Sequence, residues 1–197
     1  LPFDRFHGSD GLLGPEMRST GEVMGVAADF PTAFAKAQAA AGVALPASGT
    51  AFLTVTDADK AGAVGIAAQL HDLGFRIVAT AGTARAIARM GIPGERLNKI
   101  AEGSPHVVDW IEWGAIDLVV NTPTGTAARS EGYEIRRAAV ARGIVCITTF
   151  SGGMAAARGI ASARLGEAPV VSLQEIHGRS PGPGTRGPGT KPVAAGL

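Results

Sequence analysis

From Thr50 onward, short apolar runs alternate with amphipathic ones. AFLTVT (51–56), FRIVAT (75–80), IDLVV (116–120), IVCIT (144–148) and VVSL (170–173) read as strands, with a weaker one at RLNKI (96–100). Between them, DKAGAVGIAAQLHDLG (59–74) sets Val64, Ile66, Ala67, Leu70 and Leu73 at helical spacing, and Gly74 closes the helix. HVVDWIEWG and YEIRRAAVARG read as helices that end in Gly114 and Gly143, each directly before a strand. VATAGTARA (78–86) reads as a strand end, a glycine-containing turn and a helix. Upstream, DFPTAFAKAQAAAG carries an N-cap at Asp29, an early Pro31 and a stop at Gly42. This rhythm predicts an α/β fold: a doubly wound, mostly parallel sheet of five to six strands, with the strand C-termini along one edge.

The flanks lack this periodicity. Residues 1 to 30 are rich in Gly, Pro and polar turn formers, LPASG (45–49) reads as a linker, and the Pro/Gly-rich residues 180–197 read as a disordered tail. The chain begins at Leu1, without a methionine, and reads as a fragment of a longer one.

Composition narrows the classes. At 197 residues, 46% hydrophobic and 18% charged, the chain is long enough for one good core plus appendages. A net charge of +1 with interspersed signs announces no nucleic-acid face. No apolar run approaches the roughly 20 residues that span a bilayer, and LPFDRFHGSDG is not a signal peptide. The lone Cys146 excludes an internal disulfide, suits a reducing cytoplasm and reads as a small core residue.

Chemistry concentrates at three polar strand ends: Thr56–Asp57 with Lys60 just beyond, Thr80–Ala81–Gly82–Thr83, and NTPTGT from Asn121 through Thr122, Thr124 and Gly125 to Thr126. In open α/β sheets, ligands bind at the strand C-termini. There, glycine admits backbone N–H groups to an anion, and a helix N-terminus adds partial positive charge. Lys60 and Lys99 supply full charges for a phosphate. Singly, each feature has an ordinary explanation: threonines cap helices, lysines are solvated, and Asn and Gly make turns. Together on one edge they favour an anion site, although no GxxxxGK[ST] loop occurs. His106 and Asp109 at i, i+3 do not make a metal site, and His7, His71 and His177 read as surface or packing residues. Trp110 and Trp113 read as core or interface packing, and nothing pairs Glu102, Asp109 and Asp117 as acid and base.

PFDRFHGSDGLLGPEMRSTGEVMGV resembles the segment closing the second ATP-grasp unit of carbamoyl-phosphate synthase large chains. DKAGAVGIAAQLHDLGFRIVATAGTARAIARMGI, LNKIAEGSPHVVDWIEWGAIDLVVNTPTG and CITTFSGGMAAA resemble their methylglyoxal-synthase-like regulatory domain. The resemblance runs to about His177. It implies an ATP-grasp remnant over residues 1–44, a regulatory domain over 45–178 and a tail over 179–197. It also implies an allosteric, cytoplasmic role in an ATP-dependent ligase that serves pyrimidine and arginine synthesis. The implied effectors are UMP or IMP. Lys60, Thr80, Gly82, Thr83 and Lys99 would hold the effector phosphate, and Asn121, Thr122, Thr124 and Gly125 the ribose or base. Thr148 matches an ornithine-site position.

The same resemblance implies that ATP and Mg or Mn serve the full-length enzyme, with no cofactor or metal in this fragment. It implies as partners the rest of the large chain and a glutaminase small chain, in an oligomer, with no nucleic acid and no membrane. Most ATP-grasp machinery would precede Leu1, so the fragment is expected to be non-catalytic. Ala81 stands where the family often has a larger residue such as histidine. The alternative is a lyase eliminating phosphate from dihydroxyacetone phosphate. The lyase family carries a catalytic aspartate near the position of Ser104, where the nearest acid here is Glu102, and histidines around Thr56 and Arg129, which this chain lacks.

Overall fold

A computed structural model describes residues 23–122, 126–166 and 170–179. The expected N-terminal appendage up to residue 22, the tail from residue 180, Thr124 and Gly125 lie outside the described residues.

Five strands form one sheet: β1 (Thr50–Thr54), β2 (Arg76–Thr80), β3 (Glu95–Leu97), β4 (Leu118–Asn121) and β5 (Val145–Ile147). Their order is β3-β2-β1-β4-β5 and every pairing is parallel. The fold is therefore the expected α/β class. The proposed strand at 170–173 is absent: residues 170–172 are irregular and Leu173 opens a short helix. Val170 is almost fully exposed, so it fills no core.

Side chains alternate strictly across the sheet. Ala51, Leu53, Ile77, Ala79, Leu118 and Val120 face one layer, where α2 (Lys60–Asp72), α3 (Ala81–Ala88) and α6 (Phe150–Arg164) contribute Ile66, Leu70, Ile87 and Ile160. Phe52, Val78 and Val119 face the other layer, against Val107 and Ile111 of α4 (Val107–Glu112) and Ile135 of α5 (Thr126–Ala141). A period of two on three adjacent strands, covered on both faces, is the doubly wound arrangement. Cys146, on edge strand β5, is partly buried and packs against the core of the second layer.

The helix boundaries follow local chemistry. Helix α1 (Phe30–Ala40) starts where Asp29 Oδ1 accepts from Thr32 N at 2.9 Å. Gly42, Gly74, Gly114 and Gly143, the expected stops, all take positive φ. Helix α1 packs along α6, with the Thr32 and Ser162 hydroxyls 2.6 Å apart. The expected turn at Ala81–Gly82 is absent, because α3 begins directly after β2 and both residues lie in its first turn. His106 and Asp109 form a reciprocal cap at the start of α4: Asp109 N donates to His106 Nδ1 at 3.4 Å and His106 N to Asp109 Oδ2 at 2.8 Å. Trp110 is partly buried beneath the Arg76 guanidinium, whereas Trp113 is exposed.

Gly49 governs entry into β1. Its φ is +122°, and a Cβ there would fall 2.0 Å from Asp117 Oδ2. That same oxygen accepts from Thr50 N at 2.7 Å, and Arg76 N donates to Gly49 O at 3.0 Å. Gly49→Ala should therefore destabilise the chain by about 1–3 kcal/mol, read as a lowered urea midpoint with unchanged m.

Asp109 also carries a pH signature. The His106 backbone N–H, and then the Ser104 hydroxyl, hold its carboxyl below the usual aspartate value of 3.8. A depressed folded-state pKa adds stability that is complete above the unfolded value and lost as pH falls through the folded one. The stability gap between wild type and Asp109→Asn should thus be constant near neutrality and close as pH drops below about 4, in urea titrations across pH.

Candidate anion-binding cleft

The strand order reverses at β1, which pairs with β2 on one side and β4 on the other. Doubly wound sheets open a crevice beyond the strand ends at such a point. Here a cleft of about 520 Å³ opens there. Thr54, Thr56 and Asp57 after β1, Thr80 at the end of β2, and Asn121 and Thr122 at the end of β4 line it. Lys99 enters from the segment after β3, and Glu131, Gly132 and Ile135 from α5.

Threonines brace these strand ends. Thr54 Oγ1 and Thr80 Oγ1 lie 3.2 Å apart, linking β1 to β2. Thr83 Oγ1 accepts from Val55 N at 3.4 Å, and Thr122 Oγ1 from Thr56 N at 3.2 Å. Thr122 N in turn donates to Thr54 O at 3.1 Å. All three strands thus stop at fixed relative heights. Thr80 is the N-cap of α3 by position, yet its side chain makes no capping bond, and no acidic residue occupies the first turn. The helix presents its N-terminus without a side-chain cap.

The lysines lie around that helix start. Lys60 Nζ is 3.0 Å from where a Cβ on Gly82 would sit, which places its ammonium against the first turn of α3. The same Nζ is hydrogen-bonded to Asp57. Lys60, first by that bond and then by its charge, lowers the Asp57 pKa below the usual value, and Lys99 adds a smaller effect. Thr56 Oγ1 donates to Asp59 Oδ2 at 3.1 Å and holds the loop between β1 and α2.

Of the sequence-derived residues, Thr80, Lys99, Asn121 and Thr122 line the cleft together. Gly82 and Lys60 meet at its side, and Thr83, almost fully buried, supports β1 from behind. Thr148 follows β5 and does not belong to the lining. Sequence reasoning did not single out Thr54, Glu131, Gly132 or Arg136. Arg136 is the largest fully buried side chain described, one helical turn beyond Gly132. A Cβ on Gly132 would lie 2.6 Å from Arg136 Nη1 and 3.2 Å from Asn121 Nδ2, so glycine admits both groups where they stand. Asn121 Nδ2 also donates to Gly132 O at 3.5 Å. The available signal was helical spacing: Glu131, Gly132 and Ile135 fall within about one turn of α5. Among the described residues no cluster of His, Cys, Asp and Glu fits a metal ion.

Comparison with known proteins identifies the lineage. Residues 62–148 match the family described as MGS-like domain. Carbamoyl phosphate synthase large chain of Acidobacterium capsulatum is 50% identical over 177 residues, covering 90% of this chain and 16% of that protein. The namesake proteins of Synechocystis and Mycobacterium tuberculosis are 47% and 50% identical over 179 and 189 residues, each covering 90% of this chain and 17% of the relative. The chain thus spans about a sixth of the length of these relatives. Methylglyoxal synthase of Elizabethkingia anophelis superposes with a TM-score of 0.44 at 17% identity, over 71% of this chain and 97% of that one. Over nine-tenths of its length the chain is thus about half identical to one segment of carbamoyl phosphate synthase large chains, and it carries an MGS-like domain.

Proposed function

We propose that the cleft binds a nucleoside monophosphate effector, UMP or IMP, and that the chain is the regulatory part of an ATP-dependent carbamoyl phosphate synthase. The observation that carries this reading is the α3 N-terminus, which has no side-chain cap and lies against Lys60, and whose N-cap Thr80 lines the same cleft as Lys99. Backbone N–H groups, a helix dipole and two ammonium groups together favour a phosphate monoester. Asn121 and Thr122 lie beyond the phosphate position on the same floor and offer polar partners for ribose or base.

The chemistry of the cleft favours holding a ligand over transforming it. Its carboxylates are Asp57 and Glu131, and the first is tied to Lys60 in its ionised form. Asp109 serves as a helix cap instead, accepting from Ser104 Oγ at 2.8 Å as well as from His106 N. We therefore assign the fragment no catalytic step. Thr148 at the β5 edge is the position for an ornithine contact. The whole protein would carry the ATP-grasp chemistry with Mg or Mn. It would work with a glutaminase small chain in a cytoplasmic oligomer and feed pyrimidine and arginine synthesis.

Calorimetric titration with UMP, IMP and ornithine tests this. One nucleotide should bind with 1:1 stoichiometry and raise the melting temperature, because a ligand selective for the folded state stabilises it by mass action. Lys99→Ala and Lys60→Ala should each weaken binding by about tenfold or more, as expected for loss of a charge-assisted contact. Absence of heat and of any melting shift at millimolar nucleotide would defeat the reading.

A further inference from the structure

The cleft already contains an anion of its own. Asp57 lines it, bonded to Lys60, the ammonium that lies against the first turn of α3. The neighbouring acid, Asp59, is engaged by Thr56 and fixes the loop, whereas the Asp57 side chain is 94% exposed. Nothing else described holds it in place, so it can swing into solvent by side-chain rotation alone. Lys60 is more enclosed, at 31% exposure, and stays against the helix. Lys99 also acts on the Asp57 carboxylate, which therefore lies within the field of both lysines.

We propose that Asp57 is a resident counter-anion that occupies Lys60 in the free protein and must be displaced by the phosphate of an incoming ligand. This rests on the reading that the cleft takes a phosphate monoester. Lys60 and Lys99 are balanced in the free site by the two carboxylates Asp57 and Glu131, so net positive charge for a ligand group near −2 at neutral pH appears only when Asp57 turns away. Displacement exchanges a singly charged acceptor for a doubly charged one, at little cost to the already exposed carboxylate. A ligand offering only a single weak negative charge gains little over Asp57 itself. The residue thereby selects phosphate monoesters over carboxylates and lowers the affinity for both.

An ordinary alternative is that Asp57 orients Lys60 for the ligand, and the two roles predict opposite signs. Titrations of the wild-type chain, Asp57→Asn and Asp57→Glu with UMP, uridine and inorganic phosphate separate them. A displaced counter-anion predicts that Asp57→Asn tightens UMP and inorganic phosphate by about three- to tenfold, the scale of one exposed ion pair plus a relieved repulsion. Uridine binding should be unchanged, and Asp57→Glu should restore wild-type affinity.

Unchanged or weaker UMP binding by Asp57→Asn would overturn the proposal while leaving the nucleotide site intact. Phosphate binding that tightens in Asp57→Asn while UMP fails to bind would uphold the counter-anion and defeat the nucleotide reading. Failure of every chain to bind either ligand would overturn both.

Discussion

The parallel pairing of β1 with both β2 and β4 is the constraint on which the rest of the structure depends. Phe52 stands opposite Val78 on one side and Val119 on the other, and Leu53 opposite Ala79 and Val120. Because the register is shared, all three strands expose their polar ends at one level, and the helices must leave from there. A one-residue slip would turn Phe52 toward the α2–α6 layer and Leu53 toward the α4–α5 layer, exchanging two buried faces of different volume. The ends would also lose the contacts of Thr54 with Thr80 and of Thr122 with Thr56. Core packing and cleft geometry are thus set by the same ladder.

Within the cleft, the roles divide by side-chain type. Threonines hold the frame, and most are buried with their oxygens occupied by neighbouring strands. Lysines and an asparagine face the space between. Gly132 leaves room for both Arg136 and Asn121 to approach its backbone. At the cleft itself Lys60 and Lys99 supply the positive charge, and Asp57 and Glu131 oppose it.

Much of this was legible in the sequence. The apolar runs at 51–56, 75–80, 116–120 and 144–148 became strands because their neighbours cover both faces, and the glycine stops became positive-φ helix ends. The run VVSL did not, since local β-propensity without burial or pairing does not make a strand. VATAGTARA lost its expected turn for a different reason: α3 starts at Ala81, so Gly82 serves close approach by Lys60 within a helix. Lys60, Thr80, Lys99 and Asn121 converge as their strand-end positions imply. Glu131, Gly132 and Arg136 stayed hidden because they belong to a helix that crosses the opposite layer. Their approach to the cleft depends on packing over long sequence separation. That Thr83 braces Val55 is invisible without the fold.

The central claim is that a phosphate sits where α3 begins, close to Lys60 and Lys99. A crystal structure of the chain grown with UMP tests it most directly. The account predicts phosphate density over the first turn of α3 within hydrogen-bonding distance of both ammonium groups, with Asp57 turned away and the nucleoside toward Asn121. A nucleotide bound elsewhere, or a cleft in which Asp57 still pairs with Lys60 at saturating UMP, would contradict it.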